Sequence, residues 1–229
     1  MSELRVVLLG NSWSQRSSVG NFILGETVFT TEGEPHSCLK VRGQVKERHI
    51  VLINTPDLLH PNISSEQLAE HVDTCVRFST PGPHVFLLVL QPEDFTEQNK
   101  ERLQSILENF SDQSFDHSLV LIAPPRVESP GSMEGFMQNP PLRDMIAKCR
   151  SNTSWPVDQQ QLLDRLDKMV QESKEPYVTH DCYQVATSDL PGDHQGTTQG
   201  DGLPINLDPV RTAGKYKSYF HNVMSTSHP

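Results

Sequence analysis

LRVVLLGNSWSQRSSVGNFILG, residues 4–25, is the stretch on which the reading of the fold turns. Arg5 aside, Leu4 to Leu9 is an apolar run suited to a strand buried on both faces. Gly10 ends it, small and polar residues follow, and a second apolar stretch closes at Gly25. Strand, glycine turn, hydroxyl residues and helix is the layout of a phosphate-binding loop, in which backbone N–H groups at a helix N-terminus cradle an anion. Against the pattern G-x-x-x-x-G-K-[ST], Gly10 fills the first place and Ser17 the last, with Ser18 beside it. Gln15 stands at the second glycine and Arg16 at the lysine. Gly10, Ser12, Trp13, Ser14, Gln15, Arg16, Ser17 and Ser18 are therefore the candidate phosphate residues.

Outward from this loop, apolar blocks recur with two periods. Leu39, Val41 and Val45 alternate with polar residues as a half-exposed edge strand does, whereas Ile50–Ile53, Val85–Leu90 and Leu119–Ile122 are runs for buried strands. Between them lie helical faces: Leu68, Val72, Cys75 and Val76 behind a Ser64/Gln67 capping box, then Leu103, Ile106, Leu107 and Phe110 behind Thr96. Leu142, Met145, Ile146 and Cys149 mark another helix, and Leu162, Leu163, Leu166, Met169 and Val170 one more, capped by Asp158. A short strand at Tyr177–Thr179 completes the count. Strands alternating with helices predict a six-stranded, mostly parallel α/β sheet covered on both faces, with Leu39–Val45 as an antiparallel edge. Residues 1–188 read as one domain. Residues 189–229, rich in Gly, Pro, Asp and Thr without apolar period, read as a disordered tail.

Composition narrows the function classes. A net charge of −10 and a pI near 5.4 argue against nucleic-acid and anionic-membrane partners. No apolar run approaches a membrane span. The four cysteines, Cys38, Cys75, Cys149 and Cys182, have no C-x-x-C spacing and read as reduced, buried thiols of a cytoplasmic protein. Among ten histidines, His36, His49, His60, His71 and His84 show no ligand spacing, so core or solvated roles are favoured over a metal.

The order of elements resembles a GTPase-type G domain, and two blocks narrow it. Ser17 to Gly25 matches the S-x-x-G-N-x-I-L-G that follows the phosphate loop in the immunity-associated GTPases, the GIMAP or AIG-type family. PGPHVFLLVL, residues 81–90, with Phe95-Thr96-Glu97, resembles a second stretch distinctive of that family. The resemblance spans roughly Leu4 to Tyr183 and points to divergent, fish-type and multi-domain members. It implies a P-loop NTPase G domain, GTP or GDP as ligand, magnesium on Ser17, and a role in immune signalling.

Carried over residue by residue, the family's working parts have drifted. The strand-end motif D-T-P-G reads Asn54-Thr55-Pro56-Asp57 here. Asn54 removes a charge from the magnesium shell, and Asp57 brings a carboxylate where a glycine N–H faces the γ-phosphate. Two such charges ~4 Å apart repel by about 1 kcal/mol in water and roughly 4 at an effective dielectric of 20. The guanine-reading aspartate is replaced by Ala123-Pro124-Pro125-Arg126, with Glu128 too late to serve. Pro35 lies near the place of the switch threonine, and His180-Asp181-Cys182 is the expected last base-side loop.

Two functions follow. One is a guanine-nucleotide-binding protein with little or no GTP hydrolysis. The other is a pseudo-GTPase interaction module that binds no nucleotide and pairs with active family G domains through the nucleotide face. A different phosphoryl-transfer enzyme has only the degenerate loop in its favour. The loop is expected to bind a phosphate, a sulfate or the β-phosphate of a diphosphate weakly, with Arg16 as its fixed charge; the alternative is an empty loop filled by the Gln15 or Trp13 side chain, which leaves the interaction module alone.

Overall fold

The computed structural model describes residues 3–34, 36–154 and 157–179. The tail assigned to 189–229, and the base-side loop assigned to His180–Cys182, lie outside the described residues.

Six strands form one sheet in the order β2-β3-β1-β4-β5-β6: β1 Glu3–Gly10, β2 Leu39–Val45, β3 Arg48–Asn54, β4 Val85–Leu90, β5 Ser118–Ile122 and β6 Ser151–Ser154. All neighbours pair in parallel except β2, the edge strand, which runs antiparallel to β3. Five of these strands were legible as apolar patterns. The sixth was not: β6 is Ser-Asn-Thr-Ser, and its pairing with β5 rests on backbone register, Leu119 against Ser151 through Ile122 against Ser154. Tyr177–Thr179, read as a strand, is not one. It runs past Pro83, where Val178 N–H donates to the Pro83 carbonyl at 2.8 Å.

The helices are α1 Trp13–Leu24, α2 Ser65–Ser79, α3 Glu97–Phe110, α4 Met133–Met137, α5 Pro140–Lys148 and α6 Gln159–Glu172. Their stop and start signals act as the residues dictate. Ser64 with Gln67 and Thr96 with Asn99 close reciprocal capping boxes, Asp158 accepts from two N–H groups of α6, and Gly25 ends α1 at φ 72°. The five-residue α4 went unread, because its start depends on the Ser132 side chain accepting from Gly135 N–H rather than on apolar spacing.

Strand residues alternate between two cores. Val7, Leu9, Val51, Ile53, Phe86 and Leu88 pack with α2, α3 and α5, while Val6, Leu8, Ile50, Leu52, Leu87 and Val89 pack with α1 and α6. β1 thus hands its helix to one face, and β3 and β4 hand theirs to the other. Such a division opens a crevice at the carboxyl ends of the strands. Gly10, Asn54, Leu90 and Ile122 all finish there.

Candidate functional site

The block after the loop has a packing rationale. Gly20 lies against Phe29, so that a Cβ there would come within 2.7 Å of the ring. Asn21 then folds the next turn: its Oδ1 accepts from the N–H groups of Val28 and Phe29, and its Nδ2 donates to the Phe29 carbonyl. These contacts bring the 26–37 segment back over the crevice.

The loop itself is shorter than its residues predicted. The hydroxyl residues read as loop belong to the helix: α1 begins at Trp13, and Arg16 N–H already donates to the Ser12 carbonyl at 3.0 Å. From Arg16 onward the N–H groups are spent on helix bonds, which leaves those of Trp13, Ser14 and Gln15 outside the ladder. Ser12 adds no side-chain cap. Asn11 binds the end of β4 twice, donating to the Gln91 carbonyl and accepting from its N–H.

Arg16 does not point outward as an anion receptor would. It is fully buried, and its Nη1 donates to the Gly10 carbonyl while Nη2 donates to the Thr55 carbonyl at 3.2 Å. Trp13, 7 % exposed, lies over the guanidinium with 5.8 Å between ring centroid and Cζ. Burial lowers the Arg16 pKa to about 10, against the opposing pull of Asp57 and Glu34. The charge is therefore retained at neutral pH.

Its counter-ion is Glu34, which sequence reasoning passed over because nothing in a polar loop marks one glutamate from another. Glu34 Oε1 lies 3.5 Å from Arg16 Nη2 and accepts the Asp57 backbone N–H. That N–H is the one that the strand-end motif aims at a γ-phosphate. Asp57 turns its own carboxylate away, to accept from Leu59 N–H at 3.1 Å. Burial pushes the Glu34 pKa up, and Arg16 pulls it back down.

Magnesium does not fit this arrangement. Ser17 Oγ is buried and accepts from Asn54 Nδ2 at 3.2 Å, and Asn54 Oδ1 is buried without a partner. Two neutral oxygens beside a buried guanidinium are a poor donor set for a dication that prefers carboxylate and water. Among the described residues no three His, Cys, Asp or Glu side chains are grouped to hold a metal. A small anion fits better. The Trp13 Nε1 and Arg16 Nε donors are buried without partners, close to the uncapped first turn of α1.

On the base side, Ala123 to Arg126 is tied down. Gln91 Nε2 donates to the Pro124 carbonyl, and Arg126 pairs with Glu93 and Asp94 of the 3-10 turn Pro92–Asp94. Burial would raise the Glu93 pKa, but donors from Arg126 N–H, Gln91 and Ser129 outweigh it and hold it at about 2. Both nearby carboxylates are thus engaged, and Glu128 stays out in solvent.

Comparison with known proteins agrees with this layout. Residues 4–194 match the model of the AIG1 family. Human GTPase IMAP family member 8 is 29 % identical over 151 residues, covering 64 % of this chain and 23 % of the human protein. The mouse protein of the same name is 26 % identical over 219 residues, 88 % of this chain and 32 % of its own. Immune-associated nucleotide-binding protein 3 of Arabidopsis thaliana is 29 % identical over 122 residues, covering 51 % of this chain and 36 % of the plant protein. The chain spans about a quarter to a third of these relatives' length. Among solved structures, the chloroplast translocon components atToc33 and psToc159, for whose GTPase activity dimerization is important, superpose with a TM-score of 0.63 at 16 % identity over 79 % of this chain and 87 % of theirs. Toc33 from Arabidopsis thaliana in complex with GDP and magnesium gives 0.53 at 19 % identity over 67 % and 70 %. No helix among the described residues is long and apolar enough to cross a membrane. With the G-domain fold in these neighbours and the family model matched across most of its length, this chain belongs to the AIG1 family of GTP-binding G domains.

Proposed function

We propose that this G domain acts as an interaction module of immune-type signalling, with little or no GTP hydrolysis, and engages other AIG1-family G domains through its nucleotide face. One observation carries the reading: the Glu34 carboxylate sits on the Asp57 N–H and beside Arg16, the two groups that the family pattern assigns to a γ-phosphate. The chain supplies its own anion, and the face around the loop is shaped without a triphosphate. Transition-state charge in phosphoryl transfer needs a metal and a positioned water. Asn54 and the buried Ser17 Oγ supply neither.

A second reading, weak capture of guanine nucleotide or a small phosphate anion, is favoured by the unpartnered Trp13 and Arg16 donors. A diphosphate bound there displaces Glu34, with little preference between guanine and adenine because the carboxylates near Ala123 are engaged. Nucleotide content of the freshly purified full chain, followed by calorimetry with GDP, ADP and pyrophosphate, tests both. Substoichiometric nucleotide and no GTP turnover are expected. Stoichiometric GDP, or a strong preference for GDP over ADP, overturns the reading.

A further inference from the structure

The segment that carries Glu34 continues into Cys38, just before β2, and there it meets α2. Cys38 and Cys75 are 37 residues apart in sequence, yet their sulfurs are 3.1 Å apart. That is roughly 1 Å longer than the ~2.05 Å bond of a disulfide. Both are free thiols, 4 % and 1 % exposed. We propose that Cys38 and Cys75 are a reversible modification site, closed to a disulfide by a small hydroperoxide, that pins the Glu34-bearing segment to α2.

The two sulfurs are not equivalent. The hydrogen bond between the two sulfurs, with help from His71, brings the Cys38 pKa down to about 6 against the effect of burial. Cys75 is pushed up by the same hydrogen bond and by burial. Cys38 is the nucleophile and Cys75 the resolving thiol. A cavity of about 350 Å³ is lined by His36, Asp57, His60 and His71, and the Cys38 sulfur lies 3.6 Å from the His71 carbonyl oxygen. The Cys38 thiolate attacks one peroxide oxygen, the O–O bond breaks, and hydroxide leaves, to take up a proton as water. The Cys75 sulfur then attacks the Cys38 sulfenic sulfur, loses its own proton, and expels the sulfenic oxygen as a second water. Two thiols and one peroxide become one disulfide and two waters, with two electrons passing from sulfur to oxygen. Cys149 makes the contrast: it is buried without such a donor, and its pKa is pushed up to about 12.

The site does not depend on whether nucleotide binds. Its test treats the native full chain with equimolar hydrogen peroxide, blocks free thiols, and maps tryptic peptides. Residues 17–40 and 49–77 each hold one cysteine. A dithiothreitol-reversible link between them is expected, and in Cys75→Ser, which keeps a donor beside the Cys38 sulfur, a dimedone adduct at Cys38 forming at least tenfold faster than at Cys149. Cys75→Ala, which removes that donor, should slow the adduct at Cys38 relative to Cys75→Ser. A first adduct on Cys75, Cys149 or Cys182, or thiols 38 and 75 still free when the peroxide is spent, overturns the proposal.

Discussion

Strand β1 has a buried arginine toward each end, and the two are solved differently. Arg5, at the amino end, donates Nε to the Gly82 carbonyl at 2.7 Å, pairs with Glu3, and lies 5.5 Å from the Tyr177 ring centroid. Arg16, beyond the carboxyl end, has carbonyls, a carboxylate and an aromatic ring as well. The difference is in what remains. Among the described residues, buried polar side-chain atoms without hydrogen-bond partners occur on Trp13, Arg16 and Asn54 around the carboxyl end of β1, and away from both arginines on Arg48, Ser114 and Asp167, while Arg5 and His84 leave none. Unpaired buried polar groups cost about 1–3 kcal/mol each, and of the two arginines Arg16 alone leaves a donor in that state. Arg5 is part of a plug with every donor engaged, whereas Arg16 lies where Glu34 occupies the place of an anion and one donor stays free.

A glycine at each end gives the strongest way to break this contrast. At Gly10, φ is +148° and an added Cβ would fall 1.8 Å from the Val89 carbonyl oxygen; at Gly82, φ is +156° and the clash is 2.0 Å with the Val178 oxygen. Val89 belongs to a central strand and cannot retreat, whereas Val178 follows the last helix and can. Gly10→Ala is therefore expected to lose more than about 4 kcal/mol of unfolding free energy and Gly82→Ala about 2, measured by urea titration. Equal losses would show that the plug is as rigid as the site.

Acid sharpens it next. His84, 5 % exposed, takes the Arg5 N–H on Nδ1 at 2.9 Å and has the Arg5 guanidinium 3.3 Å from Nε2. Burial, then Arg5, Arg48 and His117, lower its pKa to about 4. The folded state then binds fewer protons than the unfolded chain, so this stability is complete above about pH 6.5 and is lost as pH falls through 4. A loss on the order of 2 kcal/mol is expected after allowance for screening. His84→Asn keeps an acceptor for Arg5 and removes the titration, so its stability should fall less over that window. Parallel curves would place the acid sensitivity elsewhere. Glu93, held at about 2, loses its contribution only below its ordinary range near 4.5 and does not overlap most of the window.

The smallest effect concerns ligand. Glu34→Gln removes the carboxylate that competes for the Asp57 N–H, and pyrophosphate affinity should rise about tenfold by calorimetry, a change of about 1.4 kcal/mol. Glu3→Gln, the same change beside Arg5, should leave it unaltered. An unchanged affinity in Glu34→Gln means that Glu34 is not the occupant of the phosphate position.

What the sequence by itself determined was whatever repeats with a period or sits at a cap. Five strands, the edge position of Leu39–Val45, and the caps at Ser64, Thr96 and Asp158 are local events between near neighbours, and the residues involved announce them. The drifted motif positions, Gln15, Arg16, Asn54 and Asp57, were equally plain, since a missing residue type is visible without coordinates. Tertiary structure alone decided what those positions do. Arg16 carries the same charge whether it reaches out to an anion or folds back on Gly10 and Thr55, and only the carbonyls brought together at the ends of β1 and β3 select the second. Polar β6 exists through its register with β5, which no apolar pattern records. Glu34 and Asp57, like Cys38 and Cys75, become neighbours because a polar loop and the end of β3 or a helix converge on one crevice. Such meetings across long loops depend on packing at both ends, and side-chain chemistry along the chain does not encode the distance between them.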